Sequence, residues 1–592
     1  MQFTRQQHWQ FLEDELKAET EEYKKKFLSP AMSLLKESGE MFVGQLVALK
    51  DGEMIVRFSN NRSLPRKGEF LLCMLLPQEL RNYRNWGDCT YRDLYKNRYN
   101  ASDSVCIWHS ASPDKEYSLV GFSRVSLDFA QQVAETPGVI LVFAPQRPPI
   151  DYMLNLQRLV REELTPSLSS VLDANYQCNP QSNSLIKSED TADYVYKQLL
   201  LTNSMILQGP PGTGKTYLIA ELCARLCSEG KSVLVTAMTN RALMEIAGKP
   251  ALSQMLQSGH VFKTNITIDE HKENKHLEPI SHISPMPSCL ILSTYYIASG
   301  FAAELSLPLP FDCVIMDEAS QALLAMFGAC KKMGKRCLWV GDTKQLAPIV
   351  SLNRDRIRFG EYGHMVDGFN LMVESGKYPV FQLTKTYRFG QRAADYTGLF
   401  YNNTLIANHR KAPLQYPSLK KILNKEGGPS LVLTDMDAGV AFSEFALSMT
   451  AFIIQSILND KTSTEIAVLT CMRSTAKALQ RAINQKIGAN KNVRIDTVAR
   501  TQGLTTDFAI FYVPNMSYLR TLEQHLFNVA TSRAKEHTII IADRDVLAFP
   551  TIPPVVRLYL EKLKGDQMVY VPARMQKKTA QINHWELFNE HL

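Results

Sequence analysis

The sequence lacks the features that would place it in a membrane-spanning or secreted class. No CxxC pair occurs among its eleven cysteines, and the closest two, Cys223 and Cys227, lie one helical turn apart. This usage is typical of small core residues in a reducing compartment, not of metal ligands or disulfides. No run reaches the roughly 18 apolar residues that a membrane span needs, and the N-terminus has no basic-then-apolar signal pattern. We therefore expect a soluble intracellular protein with no membrane partner, cytoplasmic in the first instance, with a nuclear location left open.

Internal repeats and low-complexity tails are also absent from the sequence. The composition, 45% hydrophobic and 21% charged, is that of an ordinary globular protein, and 592 residues predict about three to five domains. The net charge of +7, from 66 basic and 59 acidic residues, permits a polyanionic partner without proving one. The compact ends favour a stand-alone enzyme, which we expect to be monomeric.

The hydrophobic period changes along the chain and thereby indicates the domains. Residues 5–28 have a helical stripe that ends at Ser29-Pro30, and six short β-like runs between about 40 and 145 predict a small closed barrel. A helix before the barrel and one after it would pair as a two-helix stalk. Beyond residue 208, strands and helices alternate, as a parallel sheet covered by helices demands. We predict an α/β protein with these parts: stalk helix 1–39, barrel 40–147, returning stalk helix 148–180, a first parallel-sheet domain at 181–377 with a small insertion at about 243–288, and a second parallel-sheet domain at 378–592.

The stretch GPPGTGKT at 209–216 follows an apolar strand and precedes a helical pattern, which is the context of a phosphate-binding loop. Its glycines let backbone N–H groups approach an anion, and the following helix directs its positive dipole end at the phosphates. Lys215 would bridge the β- and γ-phosphates, and the Thr216 hydroxyl would ligate Mg²⁺. The predicted nucleotide-binding residues of the loop are Gly209, Pro210, Gly212, Thr213, Gly214, Lys215 and Thr216.

An acidic pair, Asp317-Glu318, follows the apolar run 314–316 about 100 residues after the phosphate loop. Acidic residues at the carboxyl end of a strand are where a doubly wound sheet places its ligand chemistry. Asp317 would hold Mg²⁺, directly or through water, and Glu318 would orient or deprotonate the attacking water. These two motifs predict a nucleoside triphosphate site with Mg²⁺.

Four further motifs, together with the stalk and barrel, complete an ordered set that begins with GPPGTGKT and DEAS-Gln. GDTKQLAP lies at 341–348, TYRF at 386–389, TVARTQG at 497–503 and NVATSRAK at 528–535, and the stalk and barrel precede the phosphate loop. This order resembles superfamily 1 helicases of subfamily B, specifically the branch of the up-frameshift (nonsense-mediated-decay) helicase. The resemblance covers roughly residues 5–548 and implies that the two parallel-sheet domains, 181–377 and 378–592, are RecA-like. It implies ATP as the nucleotide, nucleic-acid-stimulated ATP hydrolysis, and movement 5′ to 3′ on single-stranded DNA or RNA.

The resemblance also implies roles for residues outside the two phosphate motifs. Gln345 would sense the γ-phosphate, Tyr387 would stack on the adenine, and Gly503 would lie at the nucleotide. Arg388 and Arg533, both from the second domain, would neutralise charge on the γ-phosphate once the cleft closes. The residues implied to contact nucleic-acid phosphates are Thr239, Asn240, Thr294 and Thr497.

The sequence departs from the branch at three places. The 187–190 neighbourhood, where the branch has a glutamine at the adenine edge, contains none; Thr505 replaces the usual glutamate after Gln-Gly; and Cys471-Met472 replaces Pro-Tyr. None of these positions carries the hydrolytic residues.

Two softer signals leave alternatives open. The basic and aromatic side chains at 81–99 fit base stacking and phosphate tracking, but the tyrosine spacing equally fits a helix packing face. Four histidines at 260–282 fit either a solvated surface or a metal site.

The conclusion from the sequence is an ATP-driven helicase or translocase. Two other functions stay open: a nucleotide-gated nucleic-acid clamp with slow hydrolysis and no processive unwinding, and a phosphate-loop ATPase that acts on protein complexes. The motifs do not distinguish DNA from RNA, because contacts to the backbone carry no base readout.

Overall fold

The computed structural model describes residues 2–50, 53–59, 63–75, 90–92, 101–112, 116–136, 139–146, 150–162, 165–177, 184–186, 188–358, 362–408, 413–488, 490–515, 518–573 and 588. Most of the basic and aromatic stretch at 81–99 lies outside these residues. Of the part that is described, Tyr91 is fully buried beside Met32 and Met74, so this tyrosine packs within the protein.

The N-terminal half of the chain contains a closed antiparallel barrel, as the short strand-like runs predicted. Six strands close in the order β1-β2-β5-β4-β3-β6. Their inward residues are apolar, and Phe122 stacks on Phe143 at 4.2 Å in the centre. Closure removes exposed strand edges. The strands are β1 Phe42–Lys50, β2 Glu53–Ser59, β3 Phe70–Leu75, β4 Ala101–Ala111, β5 Tyr117–Ser123 and β6 Ile140–Pro145.

Two helices pair beneath the barrel and form the predicted stalk. α1 (Arg5–Tyr23) begins at a Thr4 capping box and runs on into a π-helical turn at Lys24–Leu28. It packs against the helix Ile150–Arg161 through buried Phe11, Leu12 and Leu156, and Gln157 Nε2 donates to Glu13 Oε2 at 3.0 Å. The other helices up to the phosphate loop are α2 Met32–Glu37, α3 Leu127–Ala134, α4 Ile150–Arg161, α5 Pro166–Leu172 and α6 Thr191–Thr202.

The first RecA-like domain is built on a parallel sheet. In the described residues it has nine strands in the order β11-β10-β12-β9-β13-β14-β8-β15-β7. Its central strands are buried along their whole length, as helices on both faces require. The strands are β7 Ser184–Leu185, β8 Ser204–Gln208, β9 Val233–Ala237, β10 Val261–Thr264, β11 Glu278–Ile280, β12 Leu290–Thr294, β13 Phe311–Met316, β14 Gly334–Gly341 and β15 Val380–Gln382.

Two details of this domain differ from the sequence-based division. The segment 243–288 supplies β10 and β11 to the same sheet, so it extends the sheet edge instead of interrupting it. β15 pairs with β8, which carries the first sheet past the expected boundary at residue 377. The helices of this part are α7 Lys215–Ser228, α8 Asn240–Ala247, α9 Ser253–Gln257, α10 Ile268–Glu273, α11 Tyr295–Glu304, α12 Leu324–Met333, α13 Arg354–Arg358, α14 Gly363–Val366 and α15 Gly368–Glu374.

The second RecA-like domain repeats the plan with a smaller parallel sheet. Its order is β20-β19-β21-β22-β18-β23, and a short pair, β16 with β17, lies between the two domains in the chain. The strands are β16 Lys385–Thr386, β17 Ile406–Ala407, β18 Gly428–Thr434, β19 Ile466–Thr470, β20 Val493–Thr497, β21 Thr506–Tyr512, β22 Ala534–Asp543 and β23 Met568–Val571. The helices are α16 Gln391–Thr397, α17 Glu444–Asp460, α18 Arg473–Ile487, α19 Tyr518–Thr521, α20 Gln524–Thr531 and α21 Pro554–Asp566.

None of the helices in the described part of the chain combines the length and the apolar character needed to cross a membrane. Within the same residues, no three His, Cys, Asp or Glu side chains gather in a way that would hold a metal ion. The histidines at 271, 276 and 282 are exposed.

Candidate nucleotide site and nucleic-acid track

The phosphate-binding loop joins β8 to the N-terminus of α7, as predicted. Gly212 and Gly214 have φ of 74° and 80°, in the left-handed region that glycine adopts without strain. A Cβ on Gly212 would lie 2.4 Å from Cβ of Arg388, so the close approach of the second domain also requires glycine here. Thr213 Oγ1 donates to the Pro210 carbonyl at 2.8 Å and closes the loop on itself.

Lys215 opens α7 and folds back over the loop. Its Nζ donates to the Gly209 carbonyl at 2.6 Å, and the next residue, Thr216, also lines the cavity. Burial lowers the pKa of Lys215, while Asp342 and Asp317 act in the opposite direction. The ammonium group is thus desolvated and held only by neutral carbonyl groups, which an incoming phosphate would replace as its partner.

Asp317 and Glu318 lie at the carboxyl end of β13, next to the loop. Burial raises the pKa of Asp317 to about 6, against the opposing effects of the Glu318 N–H and Lys215. Burial also raises the pKa of Glu318 to about 8, and Asp317 and Glu245 add to the rise. Glu318 adopts φ 53°, which is unusual for a residue with a side chain, and its buried Oε2 has no hydrogen-bond partner among the described residues. Its carboxylate is therefore available to a ligand in the cavity.

A hydrogen-bond network at Asp342 joins the two domains. Gln345 Nε2 donates to Asp342 Oδ2 at 2.9 Å, and the Tyr401 hydroxyl donates to the same oxygen at 2.7 Å. Asn528 Nδ2 donates to the Tyr401 hydroxyl at 2.8 Å and to the Lys344 carbonyl at 2.7 Å. This network connects the GDTKQLAP loop of the first domain to the helix that carries the NVATSRAK motif in the second.

Two arginines of the second domain line the same cavity as Lys215. Arg388 Nη1 donates to the Ser532 carbonyl at 2.8 Å, and Arg533 Nε donates to the Val529 carbonyl at 2.8 Å. Burial lowers the pKa of Arg388 to about 9 and that of Arg533 to about 10, although more distant carboxylates act on both groups in the opposite direction. Among the described residues neither guanidinium has a carboxylate within ion-pair distance.

The enclosed space has the size and the surface expected for a nucleotide. Its volume is about 870 Å³, and both domains line it. Tyr387 is 52% exposed, its N–H donates to the Gly212 carbonyl at 2.8 Å, and its ring lies beside Gly214 at the mouth of the loop. An exposed aromatic ring in this position is suited to stack on a base.

The residues implied to contact nucleic acid lie at the carboxyl ends of the strands. Thr239 follows β9 and caps α8, Asn240 is the first residue of that helix, and Thr294 ends β12, the neighbour of β9. Thr497 ends β20 in the second sheet. Thr239 also lines the nucleotide cavity, whereas the other three lie outside it. The four residues thus follow the upper edges of both sheets.

Most of the predicted nucleotide site comes together around this one cavity. The lining includes Gly212, Thr213, Gly214, Lys215, Thr216, Asp317, Glu318, Gln345, Tyr387, Arg388, Gly503 and Arg533. Gly209 and Pro210 lie beside it and accept hydrogen bonds from Lys215. Two of the three departures also fall here, since Ser188 and Thr505 line the cavity, whereas Cys471 and Met472 do not.

Three residues of the site were missed by the sequence reasoning. Asp342, Tyr401 and Asn528 form the buried network between the domains. Asp342 and Asn528 stand inside motifs that were quoted, so the motifs contained a signal for them. Tyr401 stands in none, and its role depends on the tertiary fold alone.

The fold and the site together define a class: phosphate-loop proteins with two RecA-like domains and the motif order of superfamily 1 helicases. Comparison with known families agrees, because two models, each described as an AAA domain, match residues 193–351 and 366–545. The resemblance is confirmed at the level of superfamily 1 helicases, and the up-frameshift branch is not.

The curated proteins to which the chain is similar include two that are named as DNA replication ATP-dependent helicase/nucleases. The DNA replication ATP-dependent helicase/nuclease JHS1 of Arabidopsis thaliana is 24% identical over 442 residues, which are 67% of this chain and 30% of that protein. The protein of the same description named DNA2 from Saccharomyces cerevisiae is 26% identical over 398 residues, 60% of this chain and 26% of its own length. The chain therefore spans less than a third of either relative. Among solved structures, S. cerevisiae Dbp5 bound to RNA and ADP BeF3 is 11% identical, with a TM-score of 0.37 over 69% of this chain and 94% of that one.

Proposed function

We propose that this chain hydrolyses ATP to move along single-stranded nucleic acid and to separate strands as a helicase. The observation that supports this best is a set of three cations, Lys215, Arg388 and Arg533, that face one cavity from two domains. None of the three has a carboxylate within ion-pair distance among the described residues, and burial lowers the pKa of each. Desolvated cations of this kind require an anionic ligand, and a polyphosphate supplies one charge for each.

In the proposed complex, the phosphates lie along the loop from Gly209 to Gly214 with Lys215 at the β- and γ-phosphates. Tyr387 stacks on the adenine at the open end of the cavity. Thr216 and Asp317 offer the hard oxygen ligands that Mg²⁺ prefers, and they line the same cavity, so the donor set fits this ion. When bound, Mg²⁺ would neutralise charge on the β- and γ-phosphates.

Hydrolysis needs a base beside the γ-phosphate and cations around it. Glu318 has a buried carboxylate oxygen without a partner and a pKa of about 8, so it is suited to accept a proton from water. The water oxygen bonds to the γ-phosphorus, the bond from that phosphorus to the bridging oxygen breaks, and ADP and phosphate result. Arg388 and Arg533 would stabilise the charge that spreads over the γ-oxygens.

Movement would follow from closing and opening the cleft between the domains. The γ-phosphate attracts the two arginines of the second domain, and hydrolysis removes that attraction. The network of Asp342, Tyr401 and Asn528 lies across the same cleft and would carry the change to Gln345. Thr239, Asn240 and Thr294 on one sheet and Thr497 on the other would hold the strand backbone while the distance between them alternates.

The similar proteins make single-stranded DNA the first polymer to test, since two of them are named for DNA replication. The same proposal includes membership of the up-frameshift branch, movement from 5′ to 3′ and action as a monomer. It also includes the domain division, with the first domain now extended to Gln382.

The decisive experiment measures steady-state ATP hydrolysis with no polymer, with single-stranded DNA and with single-stranded RNA, at low and moderate salt. We expect strong stimulation by at least one polymer that fades as salt rises, because phosphate contacts release counterions. Hydrolysis indifferent to both polymers would contradict the proposal and favour an ATPase that acts on protein complexes.

A second measurement separates a helicase from a nucleotide-gated clamp. Duplexes with a 5′ tail or a 3′ tail are mixed with the protein and ATP, and strand release is followed. We expect release of the 5′-tailed duplex. Stimulated hydrolysis without release of either duplex would identify the clamp instead.

A further inference from the structure

The barrel carries an exposed pair of side chains with the chemistry of a nucleic-acid contact. Phe70, the first residue of β3, is 45% exposed, and the Arg124 guanidinium lies over its ring with Cζ 5.4 Å from the centroid. The two residues lie on either side of the middle of β4, since Phe70 pairs with Val105, Val105 pairs with Ser123, and Arg124 follows Ser123. Among the described residues, no carboxylate pairs with Arg124, so the charge over this ring is free for a ligand.

The position of the pair relative to the second sheet follows from two ion pairs on the same loop. Arg66 Nη1 lies 2.9 Å from Asp496 Oδ1, and both side chains are largely buried. Glu69, next to Phe70, lies 3.8 Å from Arg500. Asp496 directly precedes Thr497, so this end of the barrel sits beside the strand end that is proposed to hold nucleic-acid phosphates.

The contact of Glu69 with Arg500 places Phe70, the next residue, beside the second sheet. Arg124 lies over the ring of Phe70, so both side chains are on the part of the barrel that docks next to the end of β20.

We propose that Phe70 and Arg124 form a stacking platform on the barrel that binds a base of the single-stranded nucleic acid as it crosses the two sheets. The inference rests on the proposed function and adds a contact to it. The threonines at the strand ends contact phosphates and leave the bases unbound, and an aromatic ring with an arginine stacks on any base. The platform would hold the strand from the barrel side and would show no sequence preference.

The test measures binding of fluorescein-labelled oligothymidylate, oligouridylate and an abasic oligodeoxynucleotide by anisotropy, without nucleotide and over a range of salt concentrations. Phe70→Ala should weaken binding of the oligomers with bases roughly tenfold and leave the abasic oligomer unchanged. Phe70→Trp should restore binding, since the larger ring also stacks. Arg124→Gln should also weaken the two oligomers with bases more than the abasic oligomer, because the guanidinium belongs to the same platform.

The barrel itself provides a matched control. Arg57 lies over Tyr117 with Cζ 5.6 Å from the ring centroid, at the other end of β5 and about 20 Å from Ser123 at ~3.3 Å per residue. Tyr117→Ala and Arg57→Gln should therefore bind all three oligomers like the wild type. Melting temperatures would confirm that every variant is folded.

The outcomes separate this inference from the proposed function. Loss of binding to either polymer with bases, while abasic binding persists, supports the platform. A Phe70→Ala variant that binds like the wild type, or that loses abasic and base-containing oligomers equally, overturns the platform and leaves the helicase proposal intact. A wild-type protein that binds no oligomer and whose hydrolysis no polymer stimulates would contradict both.

Discussion

At the scale of single residues, the site is defined by three desolvated cations that, among the described residues, have no carboxylate within ion-pair distance. Lys215, Arg388 and Arg533 donate instead to neutral carbonyl groups of the loop and of the second domain. Removing a cation from water costs free energy unless an anion replaces the water, and the lowered pKa values of the three groups reflect that cost. Phosphate oxygens would offset this cost, at Lys215 already in the bound triphosphate and at Arg533 mainly in the transition state of hydrolysis.

The role of Glu318 can be tested apart from nucleotide binding. Glu318→Gln keeps the shape of the side chain but cannot accept the proton, so hydrolysis should fall by roughly two to four orders of magnitude. ATP affinity, measured with a fluorescent analogue, should be retained, so that ATP stays bound. Lys215→Ala is the counterpart, since it should lose affinity instead. Hydrolysis at the wild-type rate in Glu318→Gln would remove this residue from the mechanism.

Arg533 is expected to matter for turnover more than for binding. Its charge meets the γ-phosphate mainly in the transition state, so Arg533→Ala should lower kcat roughly a thousandfold and change nucleotide affinity only a few-fold. Lys535→Ala is the control, because Lys535 lines the same cavity but pairs with Asp507 at 3.2 Å and is half-exposed. Equal losses in the two variants would indicate a general electrostatic effect instead of a specific role for Arg533.

How far the sequence predicts the site depends on the distance over which each contact acts. The phosphate loop and the acidic pair can be predicted from the sequence alone, because their functional residues are adjacent in the chain and follow an apolar strand. Arg388 and Arg533 can be predicted only through resemblance to a family, since their spacing along the chain does not show that both line the cavity. The contact of Tyr401 with Asp342 spans 59 residues and two domains, and no local pattern indicates it.

At the scale of elements, the stalk helix α1 is fastened to the loop that follows GDTKQLAP. The Glu15 carboxylate accepts the N–H groups of Ser351 and Leu352 at 2.6 and 3.0 Å, and the side chain is almost fully buried. Burial raises the pKa of Glu15 to about 7, although both hydrogen bonds favour the charged form. The element that supports the barrel is thereby joined to the nucleotide-sensing loop through a group that titrates near neutral pH.

This contact predicts how stability depends on pH. The folded protein holds the Glu15 proton more tightly than the unfolded chain, so the stabilising effect is complete below pH ~4.5 and is lost as pH rises through about 7. From pH 5 to pH 8 the melting temperature of the wild type should therefore fall relative to that of Glu15→Gln. Glu13→Gln is the control on the same helix, because the pKa of Glu13 is lowered and its effect lies below this range. Parallel curves for the wild type and Glu15→Gln would contradict the prediction.

The docking of the barrel on the second domain depends on a second set of contacts. Arg66 pairs with Asp496, and Lys477 pairs with Glu40 at 3.0 Å. Arg66→Gln would leave the largely buried Asp496 with only the longer ion pair to Arg494, at 3.7 Å, which is destabilising in general. We expect hydrogen exchange in β20 to become at least tenfold faster. Lys17→Gln, which removes the exposed pair with Glu13, should leave it unchanged. Unaltered exchange in Arg66→Gln would show that the docking rests on other contacts.

The sequence predicted the elements better than their partners. Alternating short runs indicated the barrel, and alternating strands and helices indicated both parallel sheets. The polar, histidine-bearing segment 243–288 gives no strand signal, because β10 and β11 are short strands at the sheet edge, where a continuous apolar run is not needed. The three residues of β15 follow the expected boundary at residue 377, and no local pattern indicates that they pair with β8 and β7 of the first sheet.

At the scale of the whole molecule, the barrel is tied to both RecA-like domains, and the nucleotide cavity lies between them. The stalk packs on the first domain, whereas Arg66 and Lys477 tie the barrel end to the second. Closure of the cleft around ATP would therefore also change the distances in the ion pairs that join the barrel to the second domain beside the proposed track. This arrangement would couple the nucleotide state to the affinity for single-stranded nucleic acid, although ATP and the nucleic acid do not contact each other.

Closure itself can be followed by energy transfer between labels on the two domains. Leu201 and Leu558 are exposed, one in each domain, and suit substitution by cysteine; the nine described cysteines are buried, and Cys89 and Cys178, outside the described residues, would be changed to serine. In the Glu318→Gln background, saturating ATP with Mg²⁺ should shift the transfer efficiency, because bound triphosphate draws Arg388 and Arg533 towards Lys215. The same labels in Lys215→Ala should show no shift at that ATP concentration. An unchanged efficiency in Glu318→Gln, or an equal shift in Lys215→Ala, would separate the phosphate site from domain movement and contradict the proposed cycle.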